Sequence, residues 1–351
     1  MKLTFKTLAL TIIVSLTAIA IINPGRACTR VVYKGLDGLY LTARSMDWKE
    51  DTQTDLWIFP RGMARNGETG AQTVKWKSKY GSVIAAAYNI CSTDGMNEKG
   101  LVANLLWLAE SQYPQWDHQK PGLTIAAWVQ YVLDNFATVK EAVDELQQER
   151  FTIVSDNVPG QLRLATLHLS VSDPSGDNAI FEYIGGKLVV HHDTAYQVMT
   201  NSPVFDKQLA LNEYWKEIGG TTMLPGTNRA ADRFVRASFY TNAIPKTKDS
   251  RLAAASVFSV IRNCSVPYGI STPDQPNISS TRWRTVSDQK NLVYYFESAL
   301  TPNTFWVDLK DVNFSPRGGV KKLSLTKGEI YAGDVSGSFK RTNPFKFLGP
   351  Q

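Results

Sequence analysis

Three cysteines and four histidines are the side chains of this sequence best suited to nucleophilic or acid–base work. The histidines offer no base for a conventional pair. His168 lies inside the alternating run TLHLSV, where a histidine reads as a satisfied strand residue. Adjacent His191 and His192 would face opposite sides of a strand and could not chelate one metal. The cysteines Cys28, Cys91 and Cys264 lack C-x-x-C spacing, so they do not indicate a zinc site; an exported chain could oxidise one pair, although three is an odd number. H-E-x-x-H, G-x-S-x-G, a P-loop and a strand-linked G-x-G-x-x-G are also absent. What sets Cys28 apart is its position.

Before Cys28 comes MKLTFK with two lysines, then the uncharged run LALTIIVSLTAIAII, then NPGRA. Gly25 and Ala27 sit where a signal peptidase wants small residues. Residues 1–27 are therefore expected to be a cleaved secretory signal, and residues 28–351 a single working domain. The apolar run is shorter than the roughly 20 residues of a spanning helix. A lipoprotein anchored through Cys28 is the competing reading, although Gly25 and Arg26 suit that processing poorly. Removing Lys2, Lys6 and Arg26 lowers the formal charge from +6 to +3. With KWKSK as the densest basic cluster, nucleic acid is not an expected partner, and no stable membrane insertion is expected after cleavage. The expected location is periplasmic or secreted.

A cysteine at a new N-terminus needs no histidine. Its α-amine, with a pKa of about 7.7–8.0, can take the thiol proton near neutral pH. The surroundings must then supply a cation for the thiolate, a partner that orients the amine, and donors for a tetrahedral oxyanion.

The elements that would position such a site can be read along the chain. TRVVYKG, LYLTARSMDW, LWIFPRG and SVIAAAYNI read as strands, DGMNEKG as a turn, and LVANLLWLA as a buried strand. Residues 123–150 carry apolar groups at helical spacing, as one long helix or two abutting ones. LRLATLHLSVSD alternates as a strand, NAIFEYIGGKLVVHHD reads as a hairpin, and YQVMTNSP as a strand ending before Pro203. Three helical runs follow, over 204–218, 230–244 and 251–263. KNLVYYFESAL and TFWVDLKDVNF return to strand. This order favours antiparallel sheets covered by helices over a βαβ alternation.

CTRVVY behind a signal, ARSMDW, DGMNEKGLVANL, YQVMTNSPVFDKQL and PGTNRAADRFVRASFY, in that order, resemble the choloylglycine hydrolase family of N-terminal-nucleophile hydrolases. Bile salt hydrolases and penicillin V acylases belong to it. The exported form is similar to the Gram-negative branch. The resemblance implies an α+β fold of four layers, αββα, with two antiparallel sheets between helical layers. It implies hydrolysis of linear N-acyl amides without metal or cofactor, and a homotetramer. Cys28 would be the nucleophile with its freed amine as base. Arg44 would stabilise the thiolate and Asp47 would hold the amine. Asn201 and Asn104 would donate to the oxyanion, and Arg233 would complete the polar cluster.

Each residue also has a plainer reading. Arg44 and Asp47 could be a surface ion pair. Their odd separation places them on opposite faces of a straight strand, so a shared site calls for a bend near Ser45–Met46. Asn201 could be a turn residue before Ser202-Pro203. Asn104 inside an apolar strand needs buried partners. Of Arg233 and Arg236, on one helix face, one reads as a solvent-facing ion-pair residue. Trp48 and Trp107 could be core, or could bind an apolar acyl chain as substrate-binding residues. The acyl group is left open among penicillin V, conjugated bile salts and N-acyl homoserine lactones.

Overall fold

The computed structural model describes residues 27–273 and 278–350. The expected signal segment, apart from Ala27, lies outside the described residues. Two large sheets stack face to face. The first has seven strands, ordered Val198–Met199, β1 (Thr29–Lys34), β2 (Tyr40–Trp48), Ser280–Asp288, Val293–Ser298, Thr304–Asp308 and Gly333–Asp334. The second has nine, ordered Lys187–His192, Asn178–Ile184, Leu167–Ser172, Val102–Trp107, Cys91–Asn97, Ser82–Ala87, Leu56–Phe59, Lys321–Leu323 and Lys340–Arg341. Both are antiparallel except where Thr304–Asp308 meets Gly333–Asp334.

Helices α1 (Trp128–Asn135) and α2 (Val139–Leu146) cover the outer face of the nine-stranded sheet. Their apolar stripe packs with Ile84, Ala103, Leu105 and Phe181. Helices α3 (Phe205–Ile218), α4 (Ala230–Ala243) and α5 (Ser250–Asn263) form the layer beside the seven-stranded sheet, with α4 and α5 packed on its strands and α3 against α4. The architecture is the expected αββα sandwich of an N-terminal-nucleophile hydrolase.

The run over 123–150 resolves into two helices because Phe136 turns extended. Thr138 then opens α2 by accepting the Glu141 N–H at its hydroxyl. DGMNEKG is not simply a turn. The strand Cys91–Asn97 runs through Asp94, Gly95 and Met96, and the chain reverses only at Asn97–Gly100. Gly95 suits that crowded strand, since a Cβ there would lie 2.6 Å from the Val83 carbonyl. The strand Ser280–Asp288 was not signalled by its sequence, because Arg282 and Arg284 break up its apolar residues. It nevertheless pairs along β2, with a register shift opposite Asp47 and Met46.

Candidate active site

Cys28 immediately precedes β1, and its two ends face different surroundings. Its thiol lines a cavity of about 800 Å³, counting the open mouth. Its backbone nitrogen and carbonyl enter a polar cluster beneath α4. In the uncut chain the nitrogen is the Ala27–Cys28 amide; in a chain cut before Cys28 the same atom is the α-amine.

The nitrogen donates to Asn201 Oδ1 at 2.5 Å. Asn201 follows the short strand Val198–Met199, whose register places Met199 opposite Arg30 of β1. Arg233 of α4 reaches the same atom at 2.9 Å through Nη2. Its Nη1 donates to the Cys28 carbonyl and to Thr29 Oγ1, each at 2.6 Å. Two donors on Oδ1 fix the orientation of the Asn201 amide, so Nδ2 faces the Trp107 carbonyl at 2.7 Å. An amide nitrogen carries two hydrogens, and this contact uses one.

Asp47 completes the cluster. Thr281 Oγ1 donates to its Oδ1 at 2.5 Å, Ser45 Oγ to its Oδ2 at 3.2 Å, and Arg233 Nη1 lies 4.0 Å away. Burial pushes the Asp47 carboxyl up to about 6. Arg233, the two hydroxyls and Arg44 pull the other way without cancelling it. Ser45 also accepts the Thr29 N–H at 3.2 Å, tying the carboxylate to β1.

Arg44 approaches from the other face of β2. Its Nη2 lies 3.9 Å from Cys28 Sγ and 3.1 Å from the Leu105 carbonyl of the facing sheet. Its guanidinium sits 4.6 Å from the Trp283 ring centroid. Nε and Nη1 find no hydrogen-bond acceptor among the described residues. The charge therefore stands beside the thiol, and it also acts on the buried Asp94 carboxyl. Burial still dominates at Cys28: the thiol is pushed up from its ordinary value, Arg44 lowering it only in part.

The bend expected between Arg44 and Asp47 does not occur. β2 runs continuously from Tyr40 to Trp48 with the two residues on opposite faces. They serve one cysteine because Cys28, at a strand end, touches both sides of the sheet. Neither is at the surface: Arg44 is 1 % exposed and Asp47 fully buried. Arg233 and Arg236 are both buried as well, Arg236 donating to the Pro225 and Thr227 carbonyls.

Asn104 is not brought to this site. It pairs with Asp94 in register, and its Nδ2 donates to Asp94 Oδ2 at 2.6 Å while Ser170 Oγ donates to its Oδ1 at 3.3 Å. Strand alternation explains the placement. Leu105 and Trp107 take the cavity face, so Asn104 faces the space between the sheets, where Asp94 also meets Tyr294 and Thr285. His168 is a structural residue as read, bridging Glu182 at 3.0 Å and the Thr200 carbonyl at 2.8 Å. Burial would raise Glu182, but His168, His191 and the Phe205 N–H outweigh it and hold the carboxyl at about 2.

The cavity wall is mostly apolar. Trp48 and Trp107 both line it, their rings tilted at 5.8 Å, and Tyr88, Met46, Ile90 and Leu167 add to it. Cys264 is a buried free thiol, whereas Cys91 is half-buried and shares the cavity with Cys28. Thr29, Ser45, Thr281 and Tyr88 had no signal in the sequence, being common residue types in ordinary strand and loop contexts.

Comparison with known proteins places the chain in a family. Residues 28–322 match the model of the linear amide C–N hydrolases, choloylglycine hydrolase family. The chain is 59 % identical over 349 residues to a penicillin V acylase of Pectobacterium atrosepticum, covering 92 % of each chain. It is 26 % identical over 298 residues to a bile salt hydrolase/transferase of Clostridium perfringens, covering 77 % of this chain and 89 % of that one. A solved penicillin V acylase from Agrobacterium tumefaciens superposes with a TM-score of 0.86 at 64 % identity, covering 92 % of this chain and all of that one. A conjugated bile acid hydrolase variant from Clostridium perfringens, 23 % identical, shares the fold with a TM-score of 0.72 over 88 % of this chain and 98 % of its own. The chain therefore belongs to the choloylglycine hydrolase family of linear amide C–N hydrolases.

Proposed function

We propose that this hydrolase acts from Cys28 after the chain is cut between Ala27 and Cys28, and that it cleaves amides of flat aromatic acyl groups, penicillin V foremost. The observation that carries the reading is the split environment of Cys28: its nitrogen is held by Asn201, and its thiol stands beside Arg44 at an apolar cavity. The freed α-amine takes the thiol proton. The thiolate attacks the amide carbonyl, and the oxyanion receives a hydrogen bond from Asn201 Nδ2. The ammonium returns its proton to the leaving amine as the C–N bond breaks. Water then hydrolyses the thioester by the same proton path in reverse.

Arg44 supports the thiolate. Asp47 and Arg233 hold Cys28 and Asn201 in place. The wall of Trp48, Trp107 and Tyr88 suits a ring better than a polar acyl group. The high identity to proteins named penicillin V acylase supports the same choice over bile salts or N-acyl homoserine lactones. A lipid anchor on Cys28 fits poorly, because the residue is 3 % exposed and its sulfur faces the cavity.

The test uses exported protein. Intact mass should show a bare Cys28 at the N-terminus of periplasmic or secreted material, and sedimentation a homotetramer. Turnover of penicillin V should exceed that of a glycine-conjugated bile salt and of an N-acyl homoserine lactone. A diacylglycerol adduct on Cys28, or bile-salt turnover without penicillin V turnover, would overturn the reading.

A further inference from the structure

The family match ends at residue 322, yet the wall of the thiol's cavity includes Leu348. The last described residues form a strap without regular structure, and the strap is held at several points. Phe347 is buried in the core under α1 and α2, and Phe345 packs edge-on against Trp57 and Phe59 with ring centroids 5.1 and 5.6 Å apart. The Leu348 N–H donates to the Ile90 carbonyl at 3.0 Å, and Thr124 Oγ1 donates to the Leu348 carbonyl at 2.5 Å. Gly349 lies so close to the chain at Glu68 that a Cβ would stand 2.1 Å from its carbonyl oxygen. Lys346 pairs with Glu68 at 3.4 Å on the outside.

These anchors have one shared consequence. Ile90 and Thr124, which grip Leu348, line the cavity too, with Ile125 and Ala126 beside them. Leu348, gripped in this way, lines the cavity from a segment beyond the matched residues 28–322. Pinned at both its N–H and its carbonyl, Leu348 cannot withdraw without breaking both bonds.

We propose that the C-terminal strap is a specificity-determining element, with Leu348 setting the length of acyl group the cavity accepts. The inference rests on the acyl-binding role given to this cavity above. Leu348 packs against the far end of an apolar acyl chain. A shorter side chain lengthens the cavity, and a larger one shortens it. Discrimination by apolar filling is worth roughly tenfold or more per methylene-sized change.

The experiment compares Leu348→Ala and Leu348→Trp with the parent, each beginning at Cys28, on two amides with one chromogenic amine. One carries a phenoxyacetyl group and the other the longer 6-phenylhexanoyl group. Leu348→Ala should raise kcat/KM for the longer amide relative to the shorter by about tenfold, and Leu348→Trp should lower that ratio by about as much. The change should lie mainly in KM, since no group on the reacting atoms is touched. In a Cys28→Ala background, calorimetric binding of phenoxyacetate and 6-phenylhexanoate should follow the same order. A ratio unchanged within twofold in both variants, with folding verified by circular dichroism, would overturn the proposal. If the parent cleaves neither amide, the catalytic reading fails separately, and the two binding ratios still decide the strap's role.

Discussion

The two sides of Cys28 are built on opposite plans. Beneath α4, its nitrogen meets Asn201 and its carbonyl meets Arg233, and these join Thr29, Ser45, Asp47 and Thr281 in a packed set in which side chains satisfy one another. Towards the cavity, the thiol meets one cation, Arg44, and an apolar wall. The first side fixes position and protonation. The second leaves room, and it keeps one charge incompletely satisfied. The reaction proposed for Cys28, with an oriented amine and a movable acyl group, calls for this difference. Rigidity belongs where the proton moves, and adaptable apolar surface belongs where substrates vary.

Removing the group on which both sides converge should have the largest effect. Cys28→Ser keeps size and burial but exchanges the nucleophile. Turnover should fall on the order of 10⁴-fold with little change in melting temperature. Retention of more than a tenth of the activity would remove Cys28 from the chemistry.

Asn201→Ala strikes the polar side alone. It takes away the acceptor for the Cys28 nitrogen and a donor beside the cavity. A loss of about 10²–10³-fold in kcat, with KM much less affected, is expected. An effect confined to KM would place Asn201 in substrate binding instead.

Asp47 makes the polar side sensitive to pH. Its carboxyl sits at about 6 in the folded, uncut chain against an ordinary 3.8. Between those values the folded chain holds more protons than the unfolded one. Asp47 therefore weakens the fold as pH rises through that window, by about 3 kcal/mol at neutral pH. Asp47→Asn removes this slope. In the uncut chain, the variant's stability relative to the parent should climb from pH 4 to pH 6.5 in urea titrations. In the cut chain the Cys28 ammonium adds a cation nearby, which pulls the carboxyl down and shrinks the effect. An equal difference at both pH values in the uncut chain would contradict the assignment.

The cavity side should yield the smallest change. Trp107→Ala keeps the backbone carbonyl that holds Asn201 and deletes only the ring. An increase in KM of about tenfold for a phenoxyacetyl amide, with kcat nearly constant, is the expected result. A comparable loss in kcat would mean that the ring positions the reacting atoms.

Much of the polar side was legible before any coordinates. An N-terminal cysteine chemistry needs a cation, an acid and amides, and the family resemblance assigned those parts to Arg44, Asp47, Asn201 and Arg233. All four fall around Cys28. Asn104 shows the boundary of that reading. Its type suited an oxyanion donor, but strand alternation turns it towards Asp94 and leaves Leu105 and Trp107 to the cavity. The strand Ser280–Asp288 shows another: alternating arginines hide a strand whose value lies in pairing with β2.

Local periodicity by itself indicated antiparallel strands covered by helices, and helices α3 to α5, because which residues share a face depends only on near neighbours; the stacking of two sheets in four layers came from the family resemblance. Composition also set Cys28 apart, through the expected leader before it. What each face meets was decided only in three dimensions. Asp47 finds Thr281 across 234 residues, and the Cys28 nitrogen finds Asn201 across 173. The cavity draws on Cys28, on β2, on the loops around Tyr88 and Val158, and on Leu348 near the chain's end. Hydrogen bonds and apolar burial act over a few ångströms, whatever the distance along the chain. Membership of such a site is therefore a property of packing, and no run of neighbouring residues carries it.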